Sequence, residues 1–462
     1  MKILLIVYDN DSFIHWFPLG LGYIASALRN AGHDVSVYSQ DRYHYPESHL
    51  TAYLDEHKFD VVGVSVIAGY YQYRKLLKIS DAVNASKNRP FYIIGGHGPA
   101  PAPEYFLKKT HADAVVIGEG EITAVKLLEA LQAGGDLSGV KGIAYLKDDK
   151  AVVTEPQPLI EDIDSIAWPA WDLFPMDYYA LLRMPHIRNN DRVAVMLTGR
   201  GCPFKCNFCY RMDKGIRVRS PQSVVAEIQS LKEKYAITYI AFADELTMAS
   251  KSHIRKLCHA FIDADLKVRW TCNGRLNFVE PDILELMKKA GCVFINYGIE
   301  CMDDVILKNM NKVLTTDQII RGIEMTLEAG ISPGYNIIFG NIGEDAQTLQ
   351  KGVEFLLKYD DHSQLRTIRP VTPYPGSPLF DYAVEKGLLK DVEDFYENKH
   401  TNSDLMSVNF TRLSDEEYYR VLFEANKTLL ENYYKHQSEN AIETARKLYF
   451  EHDATFRGFR QT

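Results

Sequence analysis

Short apolar runs rich in β-branched residues recur through the first 133 residues, at positions 3–7, 35–38, 61–66, 91–94 and 114–117. Runs that are apolar on both faces predict a parallel sheet covered by helices on each side. Helical patterns fill the intervals, such as 19–30, stopped by Gly32, and 122–131, stopped by Gly134 and Gly135. The pattern predicts a five-stranded doubly wound domain, whose ligands belong at the carboxyl ends of its strands. Residues 139–154 read as a hairpin around Asp148-Asp149-Lys150. The next stretch carries Pro156, Pro158, Pro169 and Pro175, with Trp168 and Trp171 as anchors, and predicts a semi-rigid strap between domains.

Alternation resumes at 193–198 and continues through 239–243, 267–272, 294–298, 332–339 and 365–369. Six such units predict a partial (βα)6 barrel. Past Pro378 the pattern turns helical and rich in tyrosine (Tyr418, Tyr419, Tyr433, Tyr434), which predicts a cap over the barrel mouth. The fold class is α/β, with a Rossmann-like domain at 1–138, a hairpin and linker at 139–189, the barrel at 190–378 and a helical cap at 379–462. A chain of 462 residues exceeds what one core serves, in keeping with several domains.

Charge narrows the partners. Lysine and arginine number 52 against 61 aspartates and glutamates, a net charge of −9, and no basic run is dense enough to track phosphates, which disfavours a nucleic-acid partner. The apolar start is ended by Asp9, too short for a signal peptide, and no stretch approaches the ~20 apolar residues of a membrane span. A cytoplasmic setting is expected. Seven cysteines, three tightly grouped and four scattered (Cys258, Cys272, Cys292, Cys301), suit reduced thiols and metal ligation better than disulfides. The setting should be reducing and poor in oxygen.

The grouped cysteines lie directly after a predicted strand, in Thr198-Gly-Arg-Gly-Cys202-Pro-Phe-Lys-Cys206-Asn-Phe-Cys209-Tyr210. Three thiolates spaced Cys-x3-Cys-x2-Cys on one loop can hold three irons of a cubane and leave the fourth open. An open site is what makes a metal catalytic rather than structural. A zinc loop or an electron-transfer cluster needs a fourth cysteine or histidine nearby, and none follows within about forty residues.

This loop, with Phe208 before its last cysteine, resembles the signature of the radical S-adenosylmethionine (SAM) superfamily, and the likeness extends over 190–380. The resemblance implies a [4Fe-4S] cluster on Cys202, Cys206 and Cys209. Its open iron is chelated by SAM, and an electron from an external flavodoxin- or ferredoxin-type donor cleaves SAM to a 5'-deoxyadenosyl radical. It also implies SAM contacts from Asp244 and Glu245 after the second barrel strand, Asn273 and Arg275 after the third, Glu300 in Gly298-Ile299-Glu300, and Gly340 in Asn336-Ile-Ile-Phe-Gly340. All fall at strand carboxyl ends, where βα barrels gather their ligand groups. Helix capping is the alternative role of such polar residues.

The first domain lacks Gly-x-Gly-x-x-Gly after its first strand, which argues against a dinucleotide site. Its ordered series Phe17-Pro-Leu-Gly-Leu-Gly22, Gly95-Gly96-His97-Gly98 and Gly118-Glu119-Gly120-Glu121 resembles the cobalamin-binding domain fused to a large class of radical SAM enzymes. The resemblance implies cobalamin contacts from Ser65, Gly95, Gly96, His97, Gly118, Glu119 and Gly120. Asp-x-His-x-x-Gly, which sets a histidine under cobalt in many such domains, is absent; Asp55-x-His57-x-x-Asp60 lacks the glycine. Lone histidines such as His15 and His44 are not candidates.

The implied activity is a cobalamin-dependent C-methyltransferase acting on an unactivated carbon, with methylcobalamin as methyl donor and a small-molecule, natural-product or tetrapyrrole-like substrate. The chain also resembles anaerobic porphyrin-ring cyclases, in which no methyl is transferred. A methylthiotransferase would need further cluster cysteines, and residues 1–133 contain none. An iron-sulfur redox sensor or electron carrier is the non-enzymatic alternative. Cys301, beside Glu300, is a candidate hydrogen donor to a substrate radical, or an inert buried filler.

Overall fold

The computed structural model describes residues 1–11, 16–212 and 214–455, so His15 lies outside the described residues. The first sheet comprises β1 (Lys2–Val7), β2 (Asp34–Ser39), β3 (Val61–Ser65), β4 (Phe91–Gly95), β5 (Ala114–Val116), β6 (Ile143–Lys147) and β7 (Lys150–Val153). Their order is β2-β1-β3-β4-β5-β6-β7. The first five strands are parallel in the doubly wound arrangement expected. The hairpin is not part of the linker: β6 pairs antiparallel with β5 at Val115 and Ala144, making seven strands. Three-residue β5 would otherwise be a bare edge of unpaired backbone groups, and the hairpin covers it.

Period-two alternation splits the core in two. Leu4, Ile6, Val62, Val64 and Ile94 face a cluster containing Tyr73 and Leu76 of the helix Tyr70–Asn84. Ile3, Leu5, Val7 and Val61 face the helix Leu19–Asn30 and belong to the cluster that continues through the strap into the second sheet. The strap is fastened as its composition predicts. Trp171 is buried, its ring centre 4.3 Å from that of Phe17 with the planes tilted by 34°. Trp168 is held by its backbone, whose carbonyl accepts the Ser26 hydroxyl. Where the strap crosses the first helix, a Cβ on Gly22 would come within 2.9 Å of Pro169, so that glycine serves the crossing.

The second sheet has β8 (Val193–Met196), β11 (Tyr239–Phe242), β12 (Arg269–Gly274), β13 (Cys292–Glu300), β14 (Ser332–Phe339) and β15 (Arg369–Pro370), all parallel in the order β15-β14-β13-β12-β11-β8. A small antiparallel pair, β9 (Gly199–Arg200) and β10 (Arg217–Val218), frames the cysteine loop. The last strand starts later than the predicted 365, because Arg366 is held in an ion-paired turn with Asp360 and Asp361.

The C-terminal region departs from a mouth cap. The helix Asp415–Phe450 runs along the helix Ala346–Tyr359 on the outside of the barrel. Its Asn426 amide donates to the Ile368 carbonyl at 3.0 Å and accepts the Ile368 amide proton at 2.8 Å, a side-chain substitute for the strand missing from the open edge. The preceding segment packs on the first domain, with Tyr396 stacked 4.6 Å from Tyr73 and Glu397 paired with Lys109. No helix among the described residues is long and apolar enough to cross a membrane.

Candidate active site

The cysteine loop is braced from several directions. The buried Asp244 carboxylate, just after β11, accepts the backbone amides of Thr198 (2.7 Å) and Gly199, and the hydroxyls of Thr198 and Thr247 (3.1 Å each). Burial raises its carboxyl to about 6. Glu245 accepts the Gly201 amide at 2.8 Å. Between the second and third cysteines, Asn207 forms a reciprocal amide pair with Asn341 beyond β14, at 2.9 and 3.0 Å. The Asn207 backbone also donates to Met310 and accepts from Leu379. Phe208 packs against both apolar cores.

Cys206 is buried, Cys202 half-buried and Cys209 exposed, and all seven cysteines are free thiols. A hydrogen bond with Cys209 lowers Cys206 to about 6, with Lys312 and Arg275 contributing, against the opposing effect of burial. Thiolate character at a shared loop is what iron ligation requires. Among the described residues no three acidic, histidine or cysteine side chains converge on a point suited to one ion. Three thiols on one loop suit the separate corners of a cluster, so the donor set fits a cubane.

Two buried cations stand beside these thiols. The Arg275 guanidinium lies 3.5 Å from the Phe204 ring centre and donates to the carbonyls of Lys312 and Val313. Burial lowers its pKa, while Cys206 and Cys202 act in the other direction. Lys312 pairs with Glu300 at 2.8 Å, each 8% exposed. Glu300 adopts φ +68° at the end of β13, a strained conformation for a residue with a side chain. A Cβ on Gly298 would come within 2.4 Å of the Glu300 carboxylate and 2.8 Å of the Lys312 ammonium, so that glycine makes room for the pair.

Several residues named from the sequence turn out to be engaged elsewhere. Asp244 spends its carboxylate on the loop backbone instead of facing open space. Asn273 donates to the Asp244 carbonyl at 2.7 Å and accepts from Asn296 at 3.2 Å. Gly340, at φ +98°, lies under Tyr418, whose hydroxyl a Cβ would approach to 2.6 Å. Cys301 is 2% exposed and hydrogen-bonds the buried Glu344 carboxylate, which also accepts the Gly340 and Asn341 amides. That contact closes Cys301 off as a group facing substrate. Tyr335 packs in the core and donates to the Tyr359 carbonyl.

On the first domain, Ser65, Gly95, Gly96, His97 and Gly118 do gather at the carboxyl ends of β3, β4 and β5. A Cβ on Gly20 would lie 3.9 Å from the Ser65 hydroxyl, and one on Gly96 (φ +93°) 2.8 Å from it and 2.4 Å from the Val66 carbonyl. Gly118 (φ +85°) has nothing within 4 Å of its missing side chain. A rim closely packed at Gly96 and open at Gly118 lets backbone meet a bulky flat ligand such as cobalamin. Glu119 and Gly120 depart from the expectation. Glu119 is buried in ion pairs with Arg200 (2.7 Å) and Arg217 (2.8 Å), and Gly120 packs its Cα against Ile24. His57 sits at the amino end of the sheet, bonded to the Tyr53 carbonyl, and His44 pairs with Asp9. His97 meets the ring of Tyr210 edge-on at 6.1 Å, which brings the rim against the residue directly after Cys209. Asn207, Tyr210, Lys312, Asn341 and Arg200 carry this geometry unannounced by the sequence. Arg200, Asn207 and Tyr210 had a signal, their place in or beside the cysteine loop.

Residues 196–356 match the model of the radical SAM superfamily, and residues 7–128 match that of the B12 binding domain. An uncharacterized methyltransferase of Pyrococcus horikoshii is 31% identical over 401 residues, 84% of each chain. The anaerobic magnesium-protoporphyrin IX monomethyl ester cyclase of Rubrivivax gelatinosus is 30% identical over 82% of this chain and 69% of its own length. In fold, the chain is similar to the radical SAM methyltransferase TsrM of Kitasatospora setae, solved with cobalamin and a [4Fe-4S] cluster, at a TM-score of 0.73 and 18% identity, covering 93% of this chain and 89% of that one. With the three-cysteine loop at a strand end and the glycine rim opposite it, the chain belongs to the radical SAM superfamily, as an enzyme joining that superfamily's barrel to a B12 binding domain.

Proposed function

We propose that the protein is a cobalamin-dependent radical SAM methyltransferase acting on an unactivated carbon of a small molecule. The observation that carries the reading is the approach of His97 to Tyr210, which sets the glycine rim against the cysteine loop. When bound, the cluster and SAM supply a carbon-centred radical, and cobalamin supplies the methyl group. Cys202, Cys206 and Cys209 hold the cluster; Cys206 is shifted towards its thiolate first by the hydrogen bond with Cys209 and further by Lys312 and Arg275. Those two cations also suit the carboxylate of SAM's methionine, with Glu300 holding the Lys312 ammonium in place. Ser65, Gly95, Gly96, His97 and Gly118 form the cobalamin rim. Asp244, Glu245 and Asn207 position the loop without touching ligand. Reduction of the cluster calls for an external one-electron donor of the flavodoxin or ferredoxin type.

Anaerobic reconstitution with iron, sulfide and cobalamin tests the reading. One equivalent of tightly held cobalamin should appear in the visible spectrum. Reduced protein given SAM should release both 5'-deoxyadenosine and S-adenosylhomocysteine. Deoxyadenosine without cobalamin uptake removes the methyltransferase. A cyclase reading is favoured by the Rubrivivax relative, and a product mass lacking one added methylene per turnover would select it.

A further inference from the structure

We propose that Arg200 is a positioning residue that sets the spacing between the cluster and the cobalamin face. Arg200 lies on β9, two residues before Cys202. Its guanidinium forks across two carboxylates of the first domain, Glu119 at 2.7 Å and Glu121 at 2.6 Å, and lies 4.9 Å from the Tyr23 ring centre. Arg217, on the partner strand β10, takes the other Glu119 oxygen at 2.8 Å and the Ile160 carbonyl of the strap at 2.7 Å. The same Glu119 oxygen accepts the Ile160 amide proton at 2.8 Å. All four charged side chains are at most 13% exposed, and the two cations balance the two carboxylates.

The location gives this network a role beyond stability. Glu119 directly follows Gly118, the rim glycine with open space at its Cα. The covalent path from cysteine ligand to rim is therefore two residues on one side of the ion pair and one on the other. The strap and the C-terminal segment also join the two domains, but through backbone groups: the Ile160 amide donates to Glu119, and the Leu379 amide donates to the Asn207 carbonyl in the loop, whereas Arg200 joins loop and rim through a charged side chain. A planar guanidinium bridging two carboxylates fixes orientation as well as distance, which a lysine ammonium cannot do. Losing Arg200 leaves the buried Glu121 without its cation and Glu119 with Arg217 alone, whereas losing Glu121 leaves the Glu119 pairs in place.

The inference rests on the reading that the first domain binds cobalamin, and two measurements on the holoenzyme separate the two. In Arg200→Gln, amide exchange should accelerate at least about a hundredfold in 118–132 and 199–210 together, while the barrel helix at 251–263 keeps its wild-type protection. Dipolar coupling between cob(II)alamin and the reduced cluster should give one narrow distance in the wild type and a broad distribution in Arg200→Gln. Arg200→Lys should restore cobalamin and iron content but not the narrow distance. Glu121→Gln, which leaves the Glu119 pairs intact, shows the same localised changes in smaller degree if Arg200→Gln does not fold. Uniform loss of protection, or a narrow wild-type distance retained in these variants, overturns the proposal. A wild type that takes up no cobalamin defeats the functional reading, and the exchange pattern then decides the latch by itself.

Discussion

The cysteine loop and the glycine rim face each other but are built on opposite principles. The loop is made of donated groups: Asp244 and Glu245 beyond β11 and Asn341 beyond β14 reach in from two strand ends to hold its backbone or side chains. The rim is made of omissions at two glycines of positive φ: Gly118 has open space where a side chain would stand, and Gly96 lets the Val66 carbonyl and the Ser65 hydroxyl close in on it. A site of the first kind is broken by deleting a group, and one of the second kind by adding one.

The largest expected effect is a deletion in the loop. Cys206→Ala should abolish iron binding and SAM cleavage, read by iron content and deoxyadenosine release, while cobalamin uptake persists. If cobalamin is lost as well, the two sites are not separable. The matching addition is Gly96→Ala, whose Cβ would stand 2.4 Å from the Val66 carbonyl. Overpacking of about 1–3 kcal/mol predicts roughly tenfold or weaker cobalamin affinity by titration, with unchanged cluster signals.

A third place, which neither ligand is expected to reach, supplies the background. His400 is fully buried among Tyr70, Tyr374 and Phe395, with neither ring nitrogen hydrogen-bonded. Burial lowers it from 6.5 to about 4, so the folded state favours the neutral ring. Its contribution is complete above pH 6.5 and lost as pH falls toward 4, about 3 kcal/mol in all. His400→Phe should flatten that acid limb of urea midpoints without altering either ligand. The smallest effect is a deletion in the loop's bracing: Asn341→Ala strands one side of the Asn207 amide and should cost about 1–3 kcal/mol, seen as an earlier denaturation midpoint and slower cluster assembly. An Asn341→Ala protein that assembles its cluster at the wild-type rate would show that the cysteines alone organise the loop.

Much of this was legible beforehand because it is local. Parallel strands that are apolar on both faces, and three thiols within eight residues, are patterns of neighbours along the chain. The hairpin at 143–153 was visible as an element, yet its sheet was not, since covering β5 depends on how short β5 is in space. The long helix after Ser414 was likewise predicted as helix but not as the cover of the open barrel edge, which rests on Asn426 meeting Ile368.

Fold class and the grouping of three thiols on one loop thus came from the chain's own order: periodicity decides sheet type, and spacing decides which thiols can share one loop. The partners of Glu119, Asp244, Glu300 and Cys301 were decided only in three dimensions. Arg200 and Glu119 stand 81 residues apart, and nothing periodic links a carboxylate to the guanidiniums that folding will bury beside it. Burial then makes such meetings obligatory, because a charge taken out of water must find its counterpart wherever the two sheets bring one.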